Sequence, residues 1–213
     1  MGAAGGDGKC CRMHTCLGWV GCFRHLAKTT PWLYAAPMTV DLGALYRSAR
    51  GRISALCVAD GVDPDLIVPA TPEWTVHDVV AHLSGIAVDA SSGNMDGAPG
   101  DQWTAAQVLR GAGRSVPEML AEWQQTGPMI EGFLSTPDGA SASAAVMDIH
   151  THEADLRHAL GQPVAIPSDF LEWAGGAMRE SFAGQCAEAG LAAVELSASD
   201  FEWFRGRLGR RTP

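Results

Sequence analysis

Lysine is almost absent from this chain of 213 residues. Its only two lysines, Lys9 and Lys28, lie near the amino terminus, and every basic residue after position 37 is an arginine or a histidine. Residues 1–37 therefore carry a net charge of +3, and residues 38–213 carry −12, which together make the net charge of −9. An acidic body of this kind argues against nucleic acid and anionic membranes as partners, because both are negatively charged.

The sequence also lacks a run of about 18 apolar residues, the length that a membrane-spanning helix needs. Its first residues, MGAAGGDGKCCRMHTC, lack the apolar segment of a signal peptide. We therefore expect a cytoplasmic protein. Hydrophobic residues make up 46% of the chain, which is enough to bury a sizeable core in one domain or in two small ones.

Cysteine is scarce after position 37, where only Cys57 and Cys186 occur, so no disulfide framework is expected there. Residues 1–37 hold the other four cysteines, and a well-patterned segment opens at Met38. We expect 1–37 to be a disordered cysteine-rich leader. The alternative is a zinc module, but the spacing Cys-Cys-x4-Cys-x5-Cys lacks the two paired ligand motifs that such modules use.

Apolar periodicity predicts a mainly α protein with helices in five regions. The first begins at Asp41 and is ended by Gly61 and Pro64, and Thr75 with Asp78 caps the second. The third region spans about 103–134, where Ser115 and Glu118 form a new capping box and Pro128 should kink or split the helix. The remaining two cover about 141–160 and 168–189.

Two further elements are predicted after the fifth helix. Residues 192–197 (AAVELS) indicate a short strand, whose pairing partner the sequence does not identify, and Asp200 marks the start of a last short helix. We predict a helical bundle over residues 38–165, followed by a C-terminal region, 166–213, of helix, short strand and helix.

The fourth helix carries the residue pattern of a metal site. Asp148 and His152 are four positions apart, so they share one helix face beside the apolar stripe. His82 belongs to the apolar face of the second helix, whereas His77 points about 140° away and should be solvated. One carboxylate and two imidazoles leave a position open, as in catalytic zinc sites or non-haem iron sites.

The same pattern leaves alternatives open. Glu153 could replace Asp148 as the carboxylate ligand, with the ion then nearer His150. Asp155 could orient a ligating histidine from outside the metal's own ligand set. A polar network without any metal, in which these groups satisfy one another, is the third interpretation.

Two segments resemble one protein family. TPEWTVHDVVAHLSG resembles the Pro-x-Trp-(Ser/Thr)-Val-x-Asp-(Leu/Val)-Val-x-His-Leu segment of the mycothiol-dependent maleylpyruvate isomerase N-terminal, metal-binding domain family, within the DinB-like superfamily. DIHTHEADLRHALG resembles its second signature, in which a carboxylate, three residues and a His precede Asp-Leu and a Gly. The resemblance covers roughly residues 38–165.

The resemblance implies an up-and-down four-helix bundle that binds a divalent metal, usually zinc, through His82, Asp148 and His152. Mycothiol would be the cosubstrate, and the chain would be a thiol-dependent isomerase or thiol transferase acting on a small electrophilic substrate. The family more often has Glu where this chain has Asp148. Its isomerases also carry a further α/β domain that helps form the substrate pocket, so either residues 166–213 are a trimmed version of that domain or this chain has a simpler function.

A non-catalytic bundle is the alternative function, either as a metal-binding regulatory protein or as a purely structural one. Composition and motifs do not separate it from the enzyme, and they do not indicate the oligomeric state.

The change in composition at Met38 generates a first prediction. Deleting residues 1–37 should leave the melting temperature and the metal content unchanged, because the patterned segments begin after that point. Calorimetry and elemental analysis of the full-length and shortened proteins measure both. A large drop in melting temperature, or loss of a second metal equivalent, would show that the cysteine-rich segment is a folded module.

Overall fold

A computed structural model of the protein describes residues 40–190 and the backbone of two later strands. The predicted leader at 1–37 lies outside the described residues. The predicted mainly α class is confirmed. The described helices are α1 (Leu42–Cys57), α2 (Val76–Ser92), α3 (Asp101–Gly111), α4 (Val116–Leu134), α5 (Ser143–Ala159) and α6 (Ser168–Glu188), with a 3-10 helix at Pro137–Ala142 before α5.

Local capping signals set several helix starts. Asp41 accepts a hydrogen bond from the Ala44 amide at the start of α1. The predicted capping boxes are both present, Thr75 with Asp78 at α2 and Ser115 with Glu118 at α4. These side chains satisfy amide groups that the first helical turn leaves without partners.

The predicted third region divides just before the capping box that was predicted at Ser115. It forms two helices, α3 and α4, and the break contains Gly113 in the left-handed conformation at φ 81°. Pro128 lies inside α4, which continues from Val116 to Leu134, so the helix is not split at this residue, and the alternative of a kink stays a prediction. Packing of α4 against both α1 and α2 outweighs the single backbone hydrogen bond that proline removes.

The helices pack in pairs around one apolar core. α2 packs on α3 and α4, α1 packs on α4 and α5, and α2 approaches α5 at only a few positions. Trp123 of α4 is fully buried and donates a hydrogen bond to the Tyr46 hydroxyl of α1 at 3.3 Å. None of the described helices is both long and apolar enough to cross a membrane.

Buried ion pairs join α1 to its two neighbours. Glu131 of α4 accepts hydrogen bonds from Arg47 at 3.0 Å and Arg50 at 2.7 Å. Glu153 of α5 accepts two from Arg52, at 2.8 and 2.6 Å. Because these bonds are directional, they set the position of α1 along both helices.

The end of the chain differs from the predicted strand and helix. The structure has two antiparallel strands, β1 (Val194–Ala198) and β2 (Phe201–Leu208), paired from Val194 opposite Leu208 to Ala198 opposite Phe201. The predicted helix after Asp200 is therefore wrong. The segment FEWFRGRL is rich in aromatic residues that favour strands, and it gives β1 the backbone partner that an isolated strand needs.

Two glycines of α1 allow a matched test of how closely α1 and α4 approach. A Cβ atom added to Gly43 would overlap the Glu131 carbonyl oxygen and the Ser135 hydroxyl, whereas one added to Gly51 would contact nothing within 4 Å. We expect Gly43→Ala to lower the free energy of unfolding by about 1–3 kcal/mol through overpacking. Gly51→Ala should raise it by about 0.5–1 kcal/mol, because alanine favours helix.

Urea titration of both variants measures these free energies. Equal stability of the two variants would contradict the close approach of α1 to α4.

Candidate metal centre

The structure brings together the three side chains that the sequence pattern selects. His82 Nε2 of α2 lies 3.3 Å from Asp148 Oδ2 of α5, and His152 Nε2 lies 3.7 Å from Asp148 Oδ1. Each residue offers one possible ligand atom, and these three atoms all lie within 4.8 Å of one another. The site is thus formed where α2 approaches α5.

These separations suit a single ion. Zinc binds nitrogen and oxygen ligands at about 2.0–2.2 Å, so two ligands at a tetrahedral angle are roughly 3.3–3.6 Å apart. The distances of 3.3 Å from His82 to Asp148 Oδ2 and 3.7 Å from His152 to Asp148 Oδ1 are close to this value, although each involves a different Asp148 oxygen. The three side chains together could hold one metal ion.

The polar side chains of this site are largely buried. The side chains of His82 and His152 are 6% and 9% exposed, whereas that of Asp148 is 35% exposed. Asp148 Oδ2 is nevertheless buried and accepts no hydrogen bond. A buried carboxylate oxygen without a donor is costly, and a cation bound between the three side chains would remove that cost.

Charge interactions within the cluster outweigh burial. Burial by itself would raise the pKa of Asp148, but the neighbouring imidazoles of His82 and His152 hold that pKa below its ordinary value. Burial would lower the pKa of His152, but Asp148 and Asp155 hold it above its ordinary value. The cluster therefore stabilises the charged forms of Asp148 and His152 against the cost of burying them.

Further polar groups contact the second nitrogen of each imidazole. His82 Nδ1 lies 2.8 Å from Gln107 Oε1 of α3, in a buried hydrogen bond. His152 Nδ1 lies 3.3 Å from Asp155 Oδ2, one turn later on α5. Asp155 therefore lies where the sequence hypothesis placed an orienting carboxylate. Gln107 was not predicted, and only its helical spacing from Trp103 marks it as an inward-facing position.

An aromatic side chain lies beside both imidazoles. The ring of Trp74 has its centroid 5.2 Å from that of His82 and 5.9 Å from that of His152. Backbone hydrogen bonds fix its loop, from Val68 N to Trp74 O at 2.9 Å and from Trp74 N to Thr71 O at 2.8 Å. In the sequence Trp74 is recognised only as part of the segment TPEWTVHDVVAHLSG, and its place in the site was not predicted.

The alternative carboxylate has other partners. Glu153 is buried, and both its oxygens accept hydrogen bonds from Arg52, while Oε1 also accepts one from Arg157 at 3.0 Å. Burial would raise the pKa of Glu153, but these two arginines hold it below its ordinary value. The structure brings Asp148, not Glu153, to His82.

His77 of α2 and His150 of α5 do not belong to this group and contact other residues. His150 stacks on Phe170 with the ring centroids 3.8 Å apart, and its Nδ1 donates to the Val146 carbonyl at 2.8 Å. His77 is half-buried, and its Nε2 lies 2.8 Å from the Arg114 carbonyl oxygen. The expectation of a solvated His77 is therefore wrong, because the turn before α4 approaches α2 at this point.

The features above define a mainly helical protein with a three-residue group that could hold a metal ion. Comparisons with protein-family models, with curated proteins and with solved structures found no match for this chain.

The different surroundings of the two acidic residues predict different effects of removing them. Asp148→Ala should abolish most zinc affinity, because it removes one of three ligands. Glu153→Gln should keep zinc affinity within the ~10-fold expected for a group outside the ligand set, but should lower the melting temperature by weakening a buried ion pair.

Zinc titration followed by calorimetry, with circular dichroism to check helicity, measures both effects. Loss of binding in Glu153→Gln with binding retained in Asp148→Ala would place the ion on the other edge of α5.

Proposed function

We propose that this protein binds one divalent ion, with a ligand set suited to zinc, and uses a small-molecule thiol to isomerise or conjugate a small electrophilic substrate. The observation that carries the proposal is the grouping of His82, Asp148 and His152, whose two imidazoles and one carboxylate each offer a ligand atom within 4.8 Å of the others. Such a set leaves at least one position for a thiol or substrate. The partial exposure of Asp148 favours a position on the side open to solvent.

The architecture supports the resemblance to the maleylpyruvate isomerase N-terminal domain family. In this proposal α1, α2, α4 and α5 are the four helices of an up-and-down bundle. Supporting this, α4 packs on both α1 and α2, α5 packs on α1, and the ligands lie where α2 approaches α5. The additional helix α3 packs on α2 and contributes Gln107 to the surroundings of His82.

Mycothiol is the expected thiol, and the resemblance alone supplies that identity. A bound zinc ion would lower the pKa of a coordinated thiol, so that it could act as a thiolate nucleophile at neutral pH. The chain's own residues would hold and orient the reactants. Trp74 lies beside both imidazoles and would exclude water from one side of the site, and Asp155 would orient His152.

Metal analysis with a matched pair of histidine variants tests the binding part of the proposal. His152 and His158 lie on the same helix, but His152 is buried in the site and His158 is exposed. Wild-type protein and His158→Ala, purified without chelator, should each contain about one equivalent of zinc, and His152→Ala should contain little. Less than about a tenth of an equivalent in the wild type, unrestored by added zinc, nickel or iron, would refute the proposal.

Assays of the zinc-loaded proteins with mycothiol and a small electrophile then test the reaction. Substrate lost without consumption of thiol indicates an isomerase, and equal loss of both indicates a thiol transferase. Either activity should disappear in His152→Ala and persist in His158→Ala. Zinc binding without any thiol-dependent reaction would instead support the non-catalytic, regulatory or structural bundle.

A further inference from the structure

Another buried carboxylate, Asp89, lies two helical turns after His82 on α2. Asp89 is 2% exposed, and its Oδ2 accepts a hydrogen bond from Gln107 Nε2 at 2.9 Å. Its Oδ1 accepts one from Asn94 at 2.8 Å, and the Arg110 guanidinium lies 2.7 Å from both oxygens. Burial would raise the pKa of Asp89, but these hydrogen bonds outweigh it and hold the pKa below its ordinary value. Asp89 is therefore a carboxylate that can only accept hydrogen bonds.

This carboxylate determines which way the Gln107 amide points. Because Asp89 offers no proton, Gln107 must turn its NH2 group toward Asp89 and its carbonyl oxygen toward His82. The flipped amide would place two acceptor oxygens 2.9 Å apart. The orientation of this buried amide thus follows from the chemistry of its partner.

The amide in turn determines the protonation of His82. A carbonyl oxygen only accepts hydrogen bonds, so the His82 Nδ1 that lies 2.8 Å from Gln107 Oε1 must carry a proton. In the neutral ring the lone pair is then on Nε2. That nitrogen faces the acceptor Asp148 Oδ2 at 3.3 Å in the candidate metal centre, so in neutral His82 two acceptors face each other and a cation bound between them would relieve their repulsion.

Gly85 of α2 leaves space for the Gln107 side chain between His82 and Asp89. His82, Gly85 and Asp89 lie on one face of α2, and Gln107 crosses that face from α3. A Cβ atom added to Gly85 would lie 2.8 Å from the Gln107 Cβ atom, which is closer than real side chains approach. The hydrogen bonds on both sides of Gln107 therefore depend on the absence of a side chain at position 85.

We propose that Asp89, acting through Gln107, fixes His82 as the Nδ1–H tautomer and so directs the Nε2 lone pair into the metal centre. Asp89 and Gln107 are then positioning residues, since Asp89 contacts none of the three ligands. The consequence for metal affinity rests on the proposed function. The tautomer itself is a property of the metal-free protein and is measured without any metal.

Replacing the carboxylate at position 89 by an amide should turn the Gln107 amide around and move the His82 proton to the other ring nitrogen. In Asp89→Asn the amide oxygen would remain with the two donors Asn94 and Arg110, so the NH2 group would face Gln107 and Arg110 would lose its second contact with this side chain. Gln107 would then present its oxygen to position 89 and its own NH2 group to His82. The His82 Nδ1 would have to accept that hydrogen bond, and the proton would move to Nε2.

A second substitution should return the proton of His82 to Nδ1. In the double variant Asp89→Asn with Gln107→Glu, a carboxylate at position 107 can accept hydrogen bonds from both sides. One would come from the amide at position 89 and the other from His82 Nδ1–H. Asn94→Ala is the control, since it removes a different hydrogen bond of Asp89 and leaves Gln107 in place.

Two-bond 1H–15N spectra of the metal-free, 15N-labelled full chain identify which ring nitrogen of His82 carries the proton. At a pH where the ring is neutral, we expect the Nδ1–H form in the wild type, in Asn94→Ala and in the double variant. Asp89→Asn should show a mixture or the Nε2–H form. Zinc affinity should fall about 10- to 100-fold in Asp89→Asn, and most of it should return in the double variant.

The wild-type spectrum decides the inference even if a variant does not fold. An Nε2–H form of His82 in the wild type would overturn it, as would an Asp89→Asn protein that keeps both the tautomer and the zinc affinity. An Nδ1–H form in a wild type that binds no zinc would instead refute the proposed function and leave the role of Asp89 and Gln107 standing.

Discussion

Burial of two imidazoles beside an apolar core is the constraint on which the candidate metal centre depends. Each ring of His82 and His152 has one nitrogen near Asp148 and the other near a second polar group, Gln107 or Asp155. Leaving a buried polar group without a partner costs about 1–3 kcal/mol. Gln107 removes that cost for His82 Nδ1 by a hydrogen bond, whereas His152 Nδ1 has only its 3.3 Å ion-pair contact with Asp155. The cluster is therefore larger than its three possible ligands.

The helices that carry the ligands are positioned by helices that carry none. α2 and α5 approach each other at only a few positions, whereas α2 packs on α3 and α4, and α5 packs on α1. Arg52 of α1 holds Glu153 of α5, and Arg50 of α1 holds Glu131 of α4. The distance between His82 and Asp148 is thus set through α1 and α4, by apolar packing and buried ion pairs together.

Predictions from the sequence were accurate where the deciding contacts lie within a few residues. The capping boxes at Thr75 and Ser115 are of this kind, since donor and acceptor are three positions apart. Predictions failed where a distant or neighbouring segment competed. Pro128 does not split its helix because two other helices pack on it, and the segment after Asp200 pairs as a strand with β1.

By itself the sequence determined the helical class, several helix starts, and the shared face of Asp148 and His152, because all of these depend on helical periodicity and short-range hydrogen bonds. It left Asp148 and Glu153 as alternatives, because periodicity cannot say which edge of a helix faces which neighbour. Only the tertiary structure decided that, by bringing Arg52 from 101 positions earlier to Glu153 and His82 from another helix to Asp148. Contacts between residues so far apart in the chain are set by packing, which local patterns do not encode.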